Sequence, residues 1–295
     1  MNILSKISWL FSAIILIIGF LFLHFKWVDY GATFFMIFPL AVGFSMGTLD
    51  KEKRNLSYII FALVVFFGFL LAGALEGLIC VLMASPIFIL MIFIGYQTQK
   101  YLMKKTPTDS DKILHGFAPL VLLLLLNPIE QNLLPAPQIV TIKNSKLLDY
   151  EASIVFDEVK SMDKLDAQKP LLMQLGLPAP YKCILEADTI GAKRHCLFNN
   201  GEIVAEITKY DKGNLLEMDV VSYNLTGRDW FQFVDATYTF VEINGRTKIT
   251  RTSSYKSALH PRFYWQPLES WGIEQEHKFV LNSLLKNINE KYGDD

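Results

Sequence analysis

Before residue 128 the chain carries five apolar runs, at 8–25, 32–49, 56–74, 75–96 and 113–127, and nothing else in it constrains the fold as strongly. The first four each approach the roughly 20 apolar residues that cross a hydrocarbon layer as helix. The fifth is shorter and holds His115 and Pro119, yet its VLLLLL centre is too apolar for a surface loop, so it too is expected to cross. Phe25 and Trp27 follow the first run where a signal peptidase needs small residues, so that run is read as an uncleaved span.

The connections orient the spans, because Lys and Arg in short loops are retained on the cytoplasmic side. Lys6 precedes the first run, Lys51, Lys53 and Arg54 lie between the second and third, and Lys100, Lys104, Lys105 and Lys112 lie between the fourth and fifth. The other connections hold Lys26 and, around Glu76, no base. The N-terminus is therefore expected in the cytoplasm of a bacterial cell. With five crossings the chain beyond residue 128 is periplasmic or otherwise extracytoplasmic; without the fifth it is cytoplasmic. No span pairs an intramembrane acid with a base as transporter pathways do. His24 and Lys26 reach the interface from the end of the first span, and Glu76 reads as a solvated turn acid. Residues 1–128 are read as an anchor in the bilayer, or a surface for another membrane protein.

Although the whole chain is 52% hydrophobic, the excess stops before Pro137, after which polar and apolar residues alternate with ordinary charge. A net charge of −1 with no concentrated basic surface argues against nucleic acid as a partner. Strands are expected at 139–148, 182–187, 193–198, 203–210, 215–223, 231–241 and 247–255, divided by turns such as NNGE, DKGN and NGRT. A helix fills 150–162 and a long one closes the chain at 267–289. This order makes an α+β domain, a curved antiparallel sheet folded round one helix.

Two passages carry a resemblance. GAKRHCLFNNGEIVAEITKYDKGNLLEMDV resembles the strand, glycine turn and long strands of the SRPBCC superfamily, also called START-like or polyketide-cyclase-like. GRTKITRTSSYKSALHPRFYW with the following EHKFVL resembles its final strand and C-terminal helix. The likeness covers about 139–289. It implies a helix-grip domain at 138–292 fused to the membrane domain, with a cavity between sheet and last helix that in relatives holds lipids, sterols or polyketides.

On the last helix Ile273, Val280, Leu281, Leu284 and Ile288 share one face with Glu269 and His277. A buried carboxylate or imidazole needs hydrogen-bond partners. Alternation places Ile249, Arg251, Ser253 and Tyr255 on one face of the last strand, so Arg251 and Tyr255 are the natural partners. Glu269 on Arg251 and His277 on Tyr255 or a carbonyl would satisfy a polar core; the same groups would otherwise orient a ligand, or act as acid and base. The ligand-facing set is Glu269, His277, Arg251, Tyr255, Arg194, Trp265 and Ile273, although Arg194, placed there by its parity with Cys196 and Phe198, reads equally as an exposed strand arginine, and Trp265, with Phe263, Tyr264 and Trp271, also reads as packing where the helix begins.

No glycine-rich phosphate loop, zinc-ligand spacing or serine nucleophile elbow occurs, so no metal or cofactor is expected. His195 and Cys196 are strand neighbours and point to opposite faces, which weakens a metal or thiolate reading. If 188–191 is a turn, Cys183 lies opposite Cys196, and a disulfide is possible at a non-hydrogen-bonded pair in an oxidising compartment. Cys80 is a small residue within a span.

The leading expectation is a membrane-anchored, non-enzymatic domain that binds a hydrophobic small molecule or lipid. Two alternatives stand beside it: a cyclase, dehydratase or hydrolase with His277 as general base and Arg251 or Tyr255 stabilising negative charge, and a membrane-associated sensor or assembly factor.

Overall fold

A computed structural model describes residues 3–49, 56–73, 76–102, 109–133, 137–225 and 230–293. The chain divides into two compact units, Met1–Ala136 with Ala258–Trp265, and Pro137–Ser257 with Gln266–Asp295.

The first unit is helical: α1 (Ile3–His24), α2 (Phe38–Leu49) preceded by a π-helical turn at Thr33–Ile37, α3 (Leu56–Ala72), α4 (Leu78–Leu102) and α5 (Asp109–Leu133). Each of the five apolar runs thus holds a helix among the described residues; α4 begins at Leu78, inside its expected start, and ends past residue 96, and α5 extends past both of its expected ends. Among the described residues Leu78–Leu102 and Gly116–Leu133 are long and apolar enough to cross a membrane, while Leu10–His24, Thr33–Gly47 and Ile59–Ala72 are shorter apolar helices. Lys51, Lys53, Arg54, Lys104 and Lys105 lie outside the described residues.

Close backbone approach joins α2 to α4. A Cβ at Gly43 would run into the Ile92 carbonyl, and one at Gly95 into that of Leu40. Small residues at such crossings let helix backbones meet where side chains would hold them apart. The start of the second helical stretch is tied to the end of α5: Glu130 accepts from the amides of Ala32 (2.7 Å) and Thr33 (2.9 Å). Asn127 Oδ1 accepts from the Asp29 amide at 3.0 Å, and Gln131 Nε2 donates to Asp29 Oδ2 at 2.6 Å. A carboxylate is well placed there, since the first amides of a helix lack partners and carry partial positive charge.

In the second unit β1 (Val140–Leu148) is followed by α6 (Ala152–Lys160), the short α7 (Leu171–Gln174), β2 (Pro180–Leu185), β3 (Lys193–Phe198), β4 (Gly201–Asp211), β5 (Leu215–Leu225), β6 (Phe231–Ile243) and β7 (Arg246–Ser257). The strands form one antiparallel sheet in the order β1-β7-β6-β5-β4-β3-β2. Register shifts between Val204 and Ala205, Ile207 and Lys209, and Phe233 and Asp235 bend the long central strands. Asn244 and Gly245, both at positive φ, make the tight β6–β7 hairpin. The long helix α8 (Arg262–Tyr292) begins five residues before the expected position, because the Pro261 carbonyl already accepts from Tyr264 and Trp265.

The sheet curves over α8 in a helix-grip arrangement. Leu148, Leu216, Met218, Phe240 and Ile249 from the strands, and Val155 and Phe156 from α6, pack with Phe279, Val280, Leu284 and Ile288 of α8 in one buried core.

Candidate functional site

The polar groups of interest lie where the first half of α8 runs back over β7. Glu269 accepts from Ser257 Oγ (2.6 Å) and Tyr255 Oη (3.1 Å), His277 contacts Ser253 Oγ through Nε2 (2.9 Å), and Glu276 accepts from Arg251 Nη2 (2.9 Å). The stagger follows from geometry. Eight helical residues rise about 12 Å, and four strand residues advance about 13 Å, so a helix antiparallel to β7 meets Ser257 and Tyr255 at Glu269 and Ser253 and Arg251 one strand-length on. The expected partners, Glu269 with Arg251 and His277 with Tyr255, are therefore displaced, because that expectation matched the two elements by face without the antiparallel return.

His277 is completely buried, and its other nitrogen lies 2.8 Å from Asn144 Oδ1 on β1. An amide oxygen accepts only, so Nδ1 carries the proton and Nε2 accepts from the Ser253 hydroxyl. Burial, reinforced by the positive charge of Arg251, lowers the imidazole pKa to about 2. A group with that pKa is a poor proton acceptor near neutrality. His277 ties β1, β7 and α8 together as a neutral ring.

Deeper along the same face Tyr238 of β6 stands between two guanidinium groups, with Arg194 Cζ at 5.8 Å and Arg251 Cζ at 5.6 Å from its ring centre. Arg194 of β3 is only 4% exposed; it donates through Nε to the Lys160 carbonyl and through Nη2 to the Val159 carbonyl, both at 3.0 Å, and through Nη1 to Cys196 Sγ at 3.4 Å. Its charge thus closes the C-terminus of α6, where unpaired carbonyls favour a cation. Arg251 is less well served, since its Nε and Nη1 are buried without a partner among the described residues, as is Oε2 of Glu276. Burial pushes the Glu276 carboxyl up, against the attraction of Arg251 and Arg194.

Toward the start of α8 the inner face becomes aromatic and half-open. Phe231 and Phe233 pair with Ser257 and Tyr255. Phe231 stacks on Tyr255 with ring centres 5.0 Å apart, and Tyr223 lies 6.5 and 6.4 Å from Phe231 and Phe233. Tyr223, Phe231 and Phe233 are partly exposed, whereas Tyr255 is sealed.

The structure thus assembles Glu269, His277, Arg251, Tyr255 and Arg194 on one surface, and Ile273 is buried at 4% exposure on the same helix. Trp265 belongs elsewhere: it falls in the helical unit, edge-on to Phe35 at 4.7 Å, and Phe263 is exposed. Sequence reasoning passed over Glu276, although it stands seven residues after Glu269, three after Ile273 and four before Val280, a helical spacing that marks the inner stripe. The alternation of β7 places Ser253 on the inner face without marking it as a partner, and Ser257 continues the same alternation; Tyr238 and Asn144 were missed, and no local pattern distinguishes them.

Cys183 and Cys196 face each other across β2 and β3 and are joined by a disulfide. The Cys183 amide and carbonyl both bond to Met162 on the far side of β2, which leaves the cysteines as a non-hydrogen-bonded pair, the closer of the two cross-strand positions. His195, on the opposite face, sits between Glu186 (3.0 Å) and Glu202 (3.4 Å). Among the described residues no group of three or more His, Cys, Asp or Glu could hold a metal ion.

No family model and no curated protein matches the chain. Several solved structures are similar to part of it. Protein Ms6760 from Mycobacterium smegmatis is 16% identical with a TM-score of 0.36, over 52% of this chain and 92% of that one. Ara h 8.0201 is 12% identical with a TM-score of 0.36, over 52% and 100%. Truncated norcoclaurine synthase from Thalictrum flavum is 13% identical with a TM-score of 0.37, over 53% and 98%.

Proposed function

We propose that the second unit binds a hydrophobic small molecule or lipid between the sheet and the first half of α8, and that the helical unit holds it at a bacterial cytoplasmic membrane. The observation that carries the binding reading is the division of the inner face. One half is a sealed apolar core, and the other combines half-exposed Tyr223, Phe231 and Phe233 with the buried polar groups Arg251, Glu276 and Tyr238. An apolar wall with a few converging polar groups is what small-molecule sites are built from. The state of His277 disfavours an acid–base enzyme at this face.

The membrane reading is supported by the helical unit's own surface. Ile60 (55% exposed), Val64 (60%), Leu90 (52%), Phe93 (43%), Leu125 (62%) and Ile129 (55%) are large apolar residues left outside the bundle. Soluble monomers rarely expose apolar surface on that scale. The bonds from Glu130 bring the end of α5 to the start of the second helical stretch, as expected if α5 runs across the layer and emerges opposite the basic loops. The disulfide fits an extracytoplasmic second unit.

Native mass spectrometry of the full chain released from its own membrane tests the binding reading. A bound apolar mass that leaves on collisional activation is expected, and a chain carrying none across several mild detergents refutes it. A periplasm-dependent reporter fused after residue 295 tests the side of the membrane and is expected to be active.

A further inference from the structure

Resting on that binding reading, we propose that the ligand's polar end is an anion, a carboxylate or phosphate on an apolar tail, received by the guanidinium of Arg251.

Three charged side chains converge at Tyr238. Arg194 and Arg251 flank its ring, and Glu276, the carboxylate bonded to Arg251, answers them with one negative charge. The other inner-face acid, Glu269, sits two helical turns before Glu276 and accepts from Tyr255 and Ser257. His277 adds no charge, and both its nitrogens are engaged. The cluster therefore carries an excess of one positive charge. The α6 C-terminus offsets only part of it, a helix end being equivalent to about half a charge.

The two arginines differ in what remains to be satisfied. All three nitrogens of Arg194 have partners. Arg251 uses Nη2 alone, and its buried Nε and Nη1 find no acceptor among the described residues. Buried donors without partners are rare and costly, and each calls for an explanation. A hydrocarbon end would leave both unmet, and a single neutral hydroxyl would meet one. A carboxylate or phosphate brings several acceptor lone pairs and the missing negative charge, which is the recognition a guanidinium makes best.

The ion pair is not wholly enclosed: the side chains of Arg251 and Glu276 each keep 11% of their surface accessible, while Ile249 and Leu284 of the core are fully sealed, and the anion reaches the enclosed Nε and Nη1 by drawing Arg251 away from Glu276. Tyr223, Phe231 and Phe233, partly exposed around Tyr255 on the same strand as Arg251, offer apolar surface for the tail. Glu276 competes with the anion for Arg251, so the proposal requires opposite effects from the two members of the ion pair.

The test is photolabelling of the full chain in phosphatidylcholine nanodiscs with a diazirine-bearing fatty acid, read by mass spectrometry on the peptides that contain Tyr223, Phe231 and Phe233. Oleate and oleyl phosphate should displace the label at concentrations at least about tenfold lower than oleyl alcohol, since a charge-assisted hydrogen bond is worth a factor of that order; the better of the two assigns the head group. Arg251→Gln should erase the difference, Arg251→Lys should keep part of it, and Glu276→Gln should enlarge it. Equal competition by acid and alcohol in the unaltered chain overturns the proposal, as does a preference that survives Arg251→Gln or shrinks in Glu276→Gln. If Arg251→Gln fails to fold, its labelling by acid and alcohol vanishes together, and the Glu276→Gln arm decides alone. Failure of both the acid and the matching diazirine alcohol to label these peptides sinks the binding reading itself.

Discussion

Two stretches of α8 face the same sheet and are built on opposite terms. From 279 to 288 the buried positions are Phe279, Val280, Leu281, Leu284 and Ile288, each at most 3% exposed and all part of the apolar core, with Ser283 the one polar residue among them, its Oγ accepting from the Ala167 amide. From 269 to 277 the inner positions are Glu269, Ile273, Glu276 and His277, and three of these four are ionisable. The first stretch gains stability from each apolar residue, because burying apolar surface is favourable without further conditions. The second gains only where each hydrogen bond is made. Glu269 and His277 meet that condition, and the Arg251–Glu276 pair does not. A buried pair of this kind is weak evidence for stability.

The comparison breaks first at its strong end. Leu284→Asp buries an unpaired charge in the sealed core and should cost more than about 4 kcal/mol, read as loss of hydrogen-exchange protection across β5–β7. A small effect would mean that the core lies elsewhere. In the polar stretch, Arg251→Met alone should cost about 3 kcal/mol by stranding Glu276, whereas Arg251→Met with Glu276→Leu should come within about 1 kcal/mol of the unaltered protein or exceed it. Denaturation of the three proteins side by side checks this, and a double variant weaker than the single one would show that the pair is kept for stability. Off the helix, loss of the bond between Cys183 and Cys196, which closes a separation of 13 residues, should cost roughly 3 kcal/mol at most. Alkylation of the unreduced protein should leave both thiols unlabelled.

The next effect concerns protons. The His277 pKa is about 2 in the folded protein and about 6.5 when unfolded, so the folded state refuses a proton that the unfolded state accepts. The stability contributed is whole above pH 6.5 and is lost as pH falls below it. Between pH 6.5 and 5 the loss should be about 2 kcal/mol from this one group. His277→Gln should flatten that part of the stability profile, and an unchanged slope would place the titration elsewhere. Smallest is Tyr255→Phe, which removes one of the hydroxyls that Glu269 accepts from and should cost about 1 kcal/mol, measured as a shift in denaturation midpoint.

The parts legible in the sequence were those fixed by local pattern. Period-two alternation and glycine turns placed the strands, the turn before Gly191 set the register that brings Cys183 to Cys196, and the inner stripe of α8 was visible in its spacing. The partner assignments failed where they depended on how far one element slides along another. Face alone paired Glu269 with Arg251, and the antiparallel return of the helix gives it Ser257 and Tyr255 instead. The parity of Arg194 with Cys196 leaves an inward and an exposed reading equally open; the residue is inward, and its partners are carbonyls of α6 more than thirty residues away, which no local motif announces. Trp265 lay within the right helix and on the wrong side of a unit boundary that periodicity cannot show.

The bonds from Glu130 to Ala32 and Thr33 join residues 98 and 97 apart in the chain. A ribosome adds about 5–20 residues each second, so roughly 5–20 s separate the synthesis of those amides from that of the carboxylate that receives them. Throughout that interval the second apolar stretch exists as nascent chain with its leading amides uncapped, and whatever packing the earlier helices adopt must stay open to a late arrival. The last apolar helix to be made is therefore the one that closes the bundle, and if the helical unit enters a membrane as proposed above, a nascent chain stalled before residue 130 should remain a client of the insertion machinery, however much of its apolar sequence has already emerged.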